Sequence, residues 1–419
     1  MIGRIISQLN KNDKLLKHSL VMFISGLLTG FLNYVFQLYM GRALGPVDYG
    51  TLDVLFSIFY VLVAPSGTIQ TIITKFVSDY KAQDEYGKVR KLISYSFKRI
   101  LIYGSIFLVV YIILSSYIAE FLNISRVSLV MLMGVVLLLS FMTPVMNGVL
   151  AGLQKFNWLA ASGVVLTFTK LVSGVLLVMF GFGVYGAVNA LNIAAVFGLL
   201  LPLIPIWFLF EHEKKEIDGV KIFKYGFGAL IITTMLMLLT NIDMVLVKHY
   251  FSSLESGYYA AASMLAKIIW FASGALIAVM FPKISSMFAK GEDTSSLLKN
   301  TMFYTSLVSG SIIAIYFIAP NFVVHLLFGE QYKIAGLIGL FALGLGLFAL
   351  NNVLVMYNLA TNKFKCAYVL LSFLLMEILL IIFVHNSLIE VIKIVVVVNV
   401  LLFVSLLLYN RKELGFNGI

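Results

Sequence analysis

Apolar residues run in stretches of membrane-spanning length along the whole chain, separated by short polar turns. A window of about 20 mostly apolar residues crosses a hydrocarbon core of roughly 30 Å, at about 1.5 Å rise per residue. On that criterion the pattern predicts helices at 18–40, 51–74, 100–119, 127–150, 158–180 and 184–209. A second group follows at 225–249, 258–282, 301–320, 334–358, 366–384 and 388–409. Only His385, Asn386 and Ser387 separate the last two. Read as one helix they would be far too long for a single crossing, so twelve segments are preferred to eleven. The composition agrees, with 61% hydrophobic and 12% charged residues and a mean hydropathy of +1.01. A soluble chain of this size could not hide that much apolar surface from water. The expected fold class is an all-α polytopic membrane protein.

Charge then orients the segments. Of the 30 Lys and Arg residues, twenty-two fall at the N-terminus, at the C-terminus and in alternate loops, among them Lys88, Arg90, Lys155, Lys214, Lys283 and Lys363. The other loops hold only Arg42, Arg126, Lys248 and Lys333. The positive-inside rule places the rich set in the cytoplasm, together with both termini. The net charge of +11 is therefore accounted for by topology and anionic headgroups, and no nucleic-acid partner is expected. One cysteine, Cys366, excludes an internal disulfide and any multi-cysteine metal site. His18, His212, His249, His325 and His385 are scattered, so no metal site is expected. The first apolar stretch is too long, and lacks the small-residue site, for a cleavable signal peptide.

The chain also repeats itself. Residues 41–50 enter the second segment as 248–257 enter the eighth, 207 positions later, matching Asp48 with Glu255 and Gly50 with Gly257. Near an offset of 208, Gly152 to Phe156 matches Ala360 to Phe364. Six segments per half is an even number, so the halves are expected to be parallel repeats rather than inverted ones. The expected organisation is an N-terminal six-helix lobe at 1–210, a charged cytoplasmic linker at 211–224 and a C-terminal six-helix lobe at 225–419.

The run from Asp243 through Lys248, Glu255, Gly257, Tyr258 and Tyr259 to Ala262 resembles a known pattern, as do Phe281-Pro282-Lys283 and the stretch Gly41 to Gly50. They are similar to the polysaccharide-transporter branch of the multidrug/oligosaccharidyl-lipid/polysaccharide exporter superfamily, whose members include O-antigen and lipid-linked oligosaccharide flippases. The resemblance covers nearly the whole chain. It implies two six-helix lobes forming a V that opens alternately to each side. The chain departs from the peptidoglycan-precursor flippases in having twelve rather than fourteen segments. It also lacks the acidic residue that many drug-efflux relatives carry in the first segment, where Asn33 and Gln37 are the polar groups.

Charges inside apolar segments are the remaining signal, because a lipid-facing charge at mid-bilayer costs several kcal/mol. Lys170 and Lys267 lie near mid-segment, as does Glu377, and Asp243 sits within about a helical turn of the depth of Lys267. Lining a transport cavity explains the two lysines, and so does ion pairing, Lys267 with Asp243 and Lys170 with Glu377. Arg42 at the outer mouth is read as meeting a departing phosphate, the alternative being a turn or lipid-headgroup contact. Asp53, three residues into its segment, reads as a helix start. Pro65 with Gly67, and Pro144, are expected kinks and hinge candidates, simple packing being the alternative.

The functional expectation is a transporter that flips a polyprenyl-pyrophosphate-linked oligosaccharide from the inner to the outer leaflet of the plasma membrane. Its partners would be membrane lipids, the lipid-linked glycan, and glycosyltransferases or a polymerase of the same assembly. The loops are too short for the paired catalytic groups of a polymerase or ligase, so no enzyme and no catalytic residue is expected. No ATP-binding motif of the Gly-x-x-x-x-Gly-Lys type occurs and no cofactor is expected. A coupling ion, proton or sodium, is left open, and with it the alternative of a cation-coupled drug or metabolite antiporter.

Overall fold

Hydropathy dictates helices, and a computed structural model describing residues 2–217, 227–411 and 413 contains helices and turns with no strand among them. In chain order they are α1 (Ile2–Val63), α2 (Ser66–Ala82), α3 (Tyr86–Phe121), α4 (Val127–Gly152), α5 (Phe156–Met179), α6 (Gly183–Leu200) and the single turn α7 (Leu203–Ile206). After the linker come α8 (Phe227–Leu239), α9 (Ile242–Tyr250), α10 (Ser253–Ala289), α11 (Ser295–Ile318), α12 (Pro320–Leu327), α13 (Ala335–Ala360), α14 (Cys366–Phe383) and α15 (Leu388–Tyr409). Residues 218–224 of the expected linker lie outside the described residues.

Eleven helical segments among the described residues are long and apolar enough to cross a membrane. The first runs from Val21 to Ala82 and is 62 residues long. At about 1.5 Å per residue it is roughly three times the hydrocarbon thickness, so it holds the first two predicted crossings. The expected loop at 41–50 is in fact a break at one residue. Gly45 takes φ 73° and ψ 172°, a conformation glycine adopts without a Cβ clash, and Pro46 restarts the helix where a missing N–H costs nothing. The second crossing is broken again at Ala64 and Pro65. The seventh is interrupted at Thr240 and Asn241, where the Asn241 amide donates back to the Met237 carbonyl at 2.8 Å. Pro144, by contrast, sits inside an unbroken α4.

Packing divides the chain into two compact units. One comprises Met1–Tyr39, Pro65–Ala119 and Arg126–Phe227; the other comprises Met40–Ala64, Glu120–Ser125 and Gly228–Ile419. The 40–64 stretch, part of the expected N-terminal lobe, thus clusters with the second unit. Pro46 and Gly50 approach Gly257 of α10 so closely that a Cβ at Gly257 would stand 1.9 Å from the Pro46 carbonyl oxygen. The Tyr332 hydroxyl donates to the Gly41 carbonyl at 2.6 Å, and Tyr49 meets Phe328 edge to face.

The repeat is visible inside each unit. In the first, α2 packs on α4, α4 on α6, and α5 on α6; in the second, α10 packs on α13, α13 on α15, and α14 on α15. The turns repeat atom for atom. After α4, Gln154 is left-handed (φ 59°) and the Lys155 N–H reaches the Leu150 carbonyl at 2.8 Å. After α13, 208 residues on, Asn362 is left-handed (φ 59°) and the Lys363 N–H reaches the Asn358 carbonyl at 2.7 Å. Both are helix stops in which a left-handed residue lets a following N–H satisfy an orphan carbonyl. A second matched pair closes α2 and α10, at Asp84 (φ 53°) and Gly291 (φ 73°).

Candidate functional site

In the second unit four charged side chains from four helices converge. Asp53 of α1, Asp243 of α9 and Glu377 of α14 are all buried, at 5%, 4% and 0% exposure. Lys267 of α10 is half-buried beside them. Asp53 lies in the field of both Lys267 and Asp243, and Glu377 in that of Asp243. The Tyr259 hydroxyl donates to Asp243 Oδ2 at 2.7 Å, while Lys267 Nζ donates to Asn241 Oδ1 at 3.4 Å. Asp243 Oδ1, Asp53 Oδ2 and both oxygens of Glu377 have no protein hydrogen-bond partner. A small cavity with room for about one water is lined by Asp243, Lys267, Ser263 and Asn399. Asn241 can serve as an acceptor because the helix breaks there: its amide nitrogen is used on the Met237 carbonyl, and its oxygen is left for Lys267.

In the first unit the buried charge is Lys170 of α5. Its ammonium donates to Asn33 Oδ1 and lies 4.6 Å from the centre of the Phe36 ring, both on α1. The Asn33 amide nitrogen is taken by the Thr29 carbonyl one turn back, at 3.0 Å, which fixes the oxygen toward the lysine. Gln37, one turn further along, has its buried Oε1 without a partner. Two lysines of the repeat are thus each held by an asparagine oxygen. The Lys267–Asp243 ion pair is not formed among the described residues.

Arg42 is engaged elsewhere in the second unit. Its guanidinium donates to the carbonyls of His325, Leu326 and Leu327, at 2.9 Å to the last. These are the orphan carbonyls at the end of α12, where a cation also complements the helix dipole. Its hydrogen bonds therefore go to holding a helix end. Of the hinge candidates, Pro65 lies in the break between α1 and α2 and Gly67 in the first turn of α2, while Pro144 does not interrupt its helix.

Sequence reasoning missed Asp53, Tyr259 and Asn241. Asp53 was legible as a charge in an apolar run, but its helix begins at Pro46 rather than at residue 51, which puts Asp53 two turns inside it. Tyr259 could not be told from the many interfacial tyrosines. Among the described residues no group of three or more His, Cys, Asp or Glu is arranged to hold a metal ion.

Comparison with known proteins fits this geometry. The family model "Polysaccharide biosynthesis protein" matches residues 15–288, more than half of the chain. The "Uncharacterized membrane protein MJ1375" of Methanocaldococcus jannaschii is 24% identical over 323 residues, covering 71% of this chain and 74% of that protein. Among solved structures, the inward-facing conformation of a multidrug resistance MATE family transporter of the MOP superfamily superposes with a TM-score of 0.71. It is 13% identical, with 95% of this chain and 100% of that chain covered. The lipid II flippase MurJ, in an inward closed conformation, gives a TM-score of 0.68 at 16% identity, covering 95% and 89%. At such identities the likeness is one of fold alone. Taken with the family match, it places the chain in the polysaccharide biosynthesis protein family, the polysaccharide-transporter branch of the multidrug/oligosaccharidyl-lipid/polysaccharide exporter superfamily, as a multi-pass membrane transporter.

Proposed function

We propose that the protein flips a polyprenyl-pyrophosphate-linked oligosaccharide from the inner to the outer leaflet of the plasma membrane, with both termini in the cytoplasm. The glycan then enters a surface polysaccharide or glycoconjugate, so glycosyltransferases or a polymerase of that assembly are its partners. The observation that carries the reading is the membrane-embedded Lys170, anchored by the Asn33 oxygen and the Phe36 ring rather than neutralised by a carboxylate. An amide fixes the ammonium without cancelling its charge, which leaves it to meet a pyrophosphate. Sugar hydroxyls and phosphates cannot cross hydrocarbon unaided, since each unsatisfied polar group costs a few kcal/mol. The polyprenyl tail has no such cost and stays in lipid. An inside-negative potential assists, at about 4–5 kcal/mol per 100 mV for two exported negative charges.

A second observation bears on coupling. Asp53, Asp243 and Glu377 outnumber Lys267 three to one in the buried cluster, and a proton or sodium ion is what would balance the excess. Cation exchange could drive the glycan step, or drive a drug or metabolite antiporter, which is the second reading. No group is assigned a catalytic role.

Purified protein in liposomes should make a pyrophosphate-linked sugar lipid accessible to an externally added glycosidase, faster than empty liposomes do. Loss of the protein in cells should leave that lipid on the inner leaflet and the surface polymer missing. Accessibility at the empty-liposome rate, even with an imposed potential and ion gradients, would sink the flippase reading. Drug sensitivity with an intact surface glycan would favour the antiporter, and accumulation on the outer leaflet would point to a polymerase or ligase.

A further inference from the structure

A groove lies in the side of the first unit, and none of the residues around Lys170 lines it. Its floor is α4 and its walls are α2 and α3. Helix α4 touches α3 closely at one level, where a Cβ on Gly104 would stand 2.5 Å from Leu138. It touches α2 closely at another, where Gly148 and Gly152 meet Ile73 and Val77. Between those levels Phe141 faces a gap of about 370 Å³, within the range of ligand pockets. Ile69 and Ile72 form one wall, and Tyr95, Ile100 and Phe107 the other. From Tyr95 to Phe107 the groove runs roughly 18 Å along α3, at about 1.5 Å per residue. That is about one leaflet of a 30 Å core.

One cation marks the groove. Arg99 is exposed at its rim, with its guanidinium 4.9 Å from the Tyr95 ring and 6.0 Å from the Tyr103 ring. One of its nitrogens donates to the Tyr103 hydroxyl at 3.4 Å. Among the described residues no carboxylate pairs with it. Flanked by the two rings, the guanidinium is held in place with donors left over, and such a fork matches two oxygens of a phosphate. Lys98 beside it is exposed and adds to the positive field.

We propose that this groove binds one anionic phospholipid of the bilayer, its phosphate on Arg99 and one acyl chain between α2 and α3. Length selects the occupant: the roughly 18 Å from Tyr95 to Phe107 is about one leaflet, which suits an acyl chain and stops short of a polyprenyl tail. Charge selects the headgroup. The site stands apart from the flippase reading, and its test measures no transport.

Native mass spectrometry of the full chain in detergent, titrated with dioleoyl phosphatidylglycerol or dioleoyl phosphatidylcholine, reads it directly. The wild type should retain phosphatidylglycerol at least about fivefold more than phosphatidylcholine. Arg99→Gln should bring the two to near parity, while Lys299→Gln, an equal loss of charge at an exposed site elsewhere, should leave the preference intact. Ser96→Trp, which fills the groove and keeps Arg99, should lower retention of both lipids. An undiminished preference in Arg99→Gln, or full retention in Ser96→Trp, would overturn the assignment. So would displacement of phosphatidylglycerol by an equal concentration of polyprenyl phosphate, which would give the groove to the carrier lipid instead.

Discussion

At the scale of single residues, burial separates charges that a sequence shows only as interruptions of an apolar run. Lys267 and Lys170 each take an asparagine oxygen, whereas Arg42 spends its donors on the end of α12. Lys267→Gln should therefore leave membrane insertion intact and change the detergent melting temperature by only a few degrees, since a glutamine can keep the bond to Asn241. Transport should fall at least about tenfold. If Lys267→Gln instead collapses the fold, and Asp243→Asn added to it restores stability, the lysine serves as an ion-pair partner after all. Depth in the bilayer made Lys170, Lys267, Asp243 and Glu377 readable from sequence, because a charge there always needs a reason. Their partners were not readable. Asn241 at its helix break looks like any polar residue in a turn and Asn33 like any polar residue in a helix, and no spacing rule joins Asn241 to Lys267 across 26 positions.

At the scale of elements, hydropathy locates every crossing but says little about where a helix breaks inside one. The break at Thr240 and Asn241 falls inside a single predicted crossing, and the stops after α4 and α13 depend on left-handed residues that are not glycine. Close approach can be tested with a pair of substitutions on α10. Gly257→Ala would drive a Cβ into the Pro46 carbonyl, backbone against backbone, and should cost more than about 3 kcal/mol or prevent folding. Gly274→Ala on the same helix meets nothing within 4 Å, and should be neutral or stabilising by up to about 1 kcal/mol. Equal effects in thermal melts of the two variants would contradict the packing described. Before α11, Asp293 accepts the Ser295 N–H at 3.0 Å and its hydroxyl at 2.6 Å, which holds its carboxyl below the usual aspartate range. The stabilisation it gives is present above the ordinary value of about 3.9 and is lost as pH falls through the depressed one. Asp293→Asn should remove that acid-side dependence from melting curves and leave the profile near neutrality flat.

At the scale of the whole molecule, the succession of apolar segments was the strongest sequence signal, because the thickness of the hydrocarbon core sets the length of every crossing. The unit boundaries were less legible. Sequence order puts residues 40–64 with the first half, and packing puts them with the second. The proposed orientation implies that single cysteines placed at 80–92 or 211–217, in a Cys366→Ser background, label only from the cytoplasmic side. Those placed at 41–44 or 250–253 should label from outside. External labelling in the 211–217 stretch would invert the orientation.

The close seat of Pro46 and Gly50 against Gly257 also sets an order of events during synthesis. Gly257 is made 207 residues after Gly50. At about 5–20 residues per second that is a delay of roughly 10–40 s. For that interval the 40–64 stretch is already in the membrane without the surface it will bury against. The nascent first half must therefore stay unfinished in the membrane until α10 arrives, and ribosome pausing between the halves would prolong the time in which the membrane insertion machinery or a chaperone has to shield it.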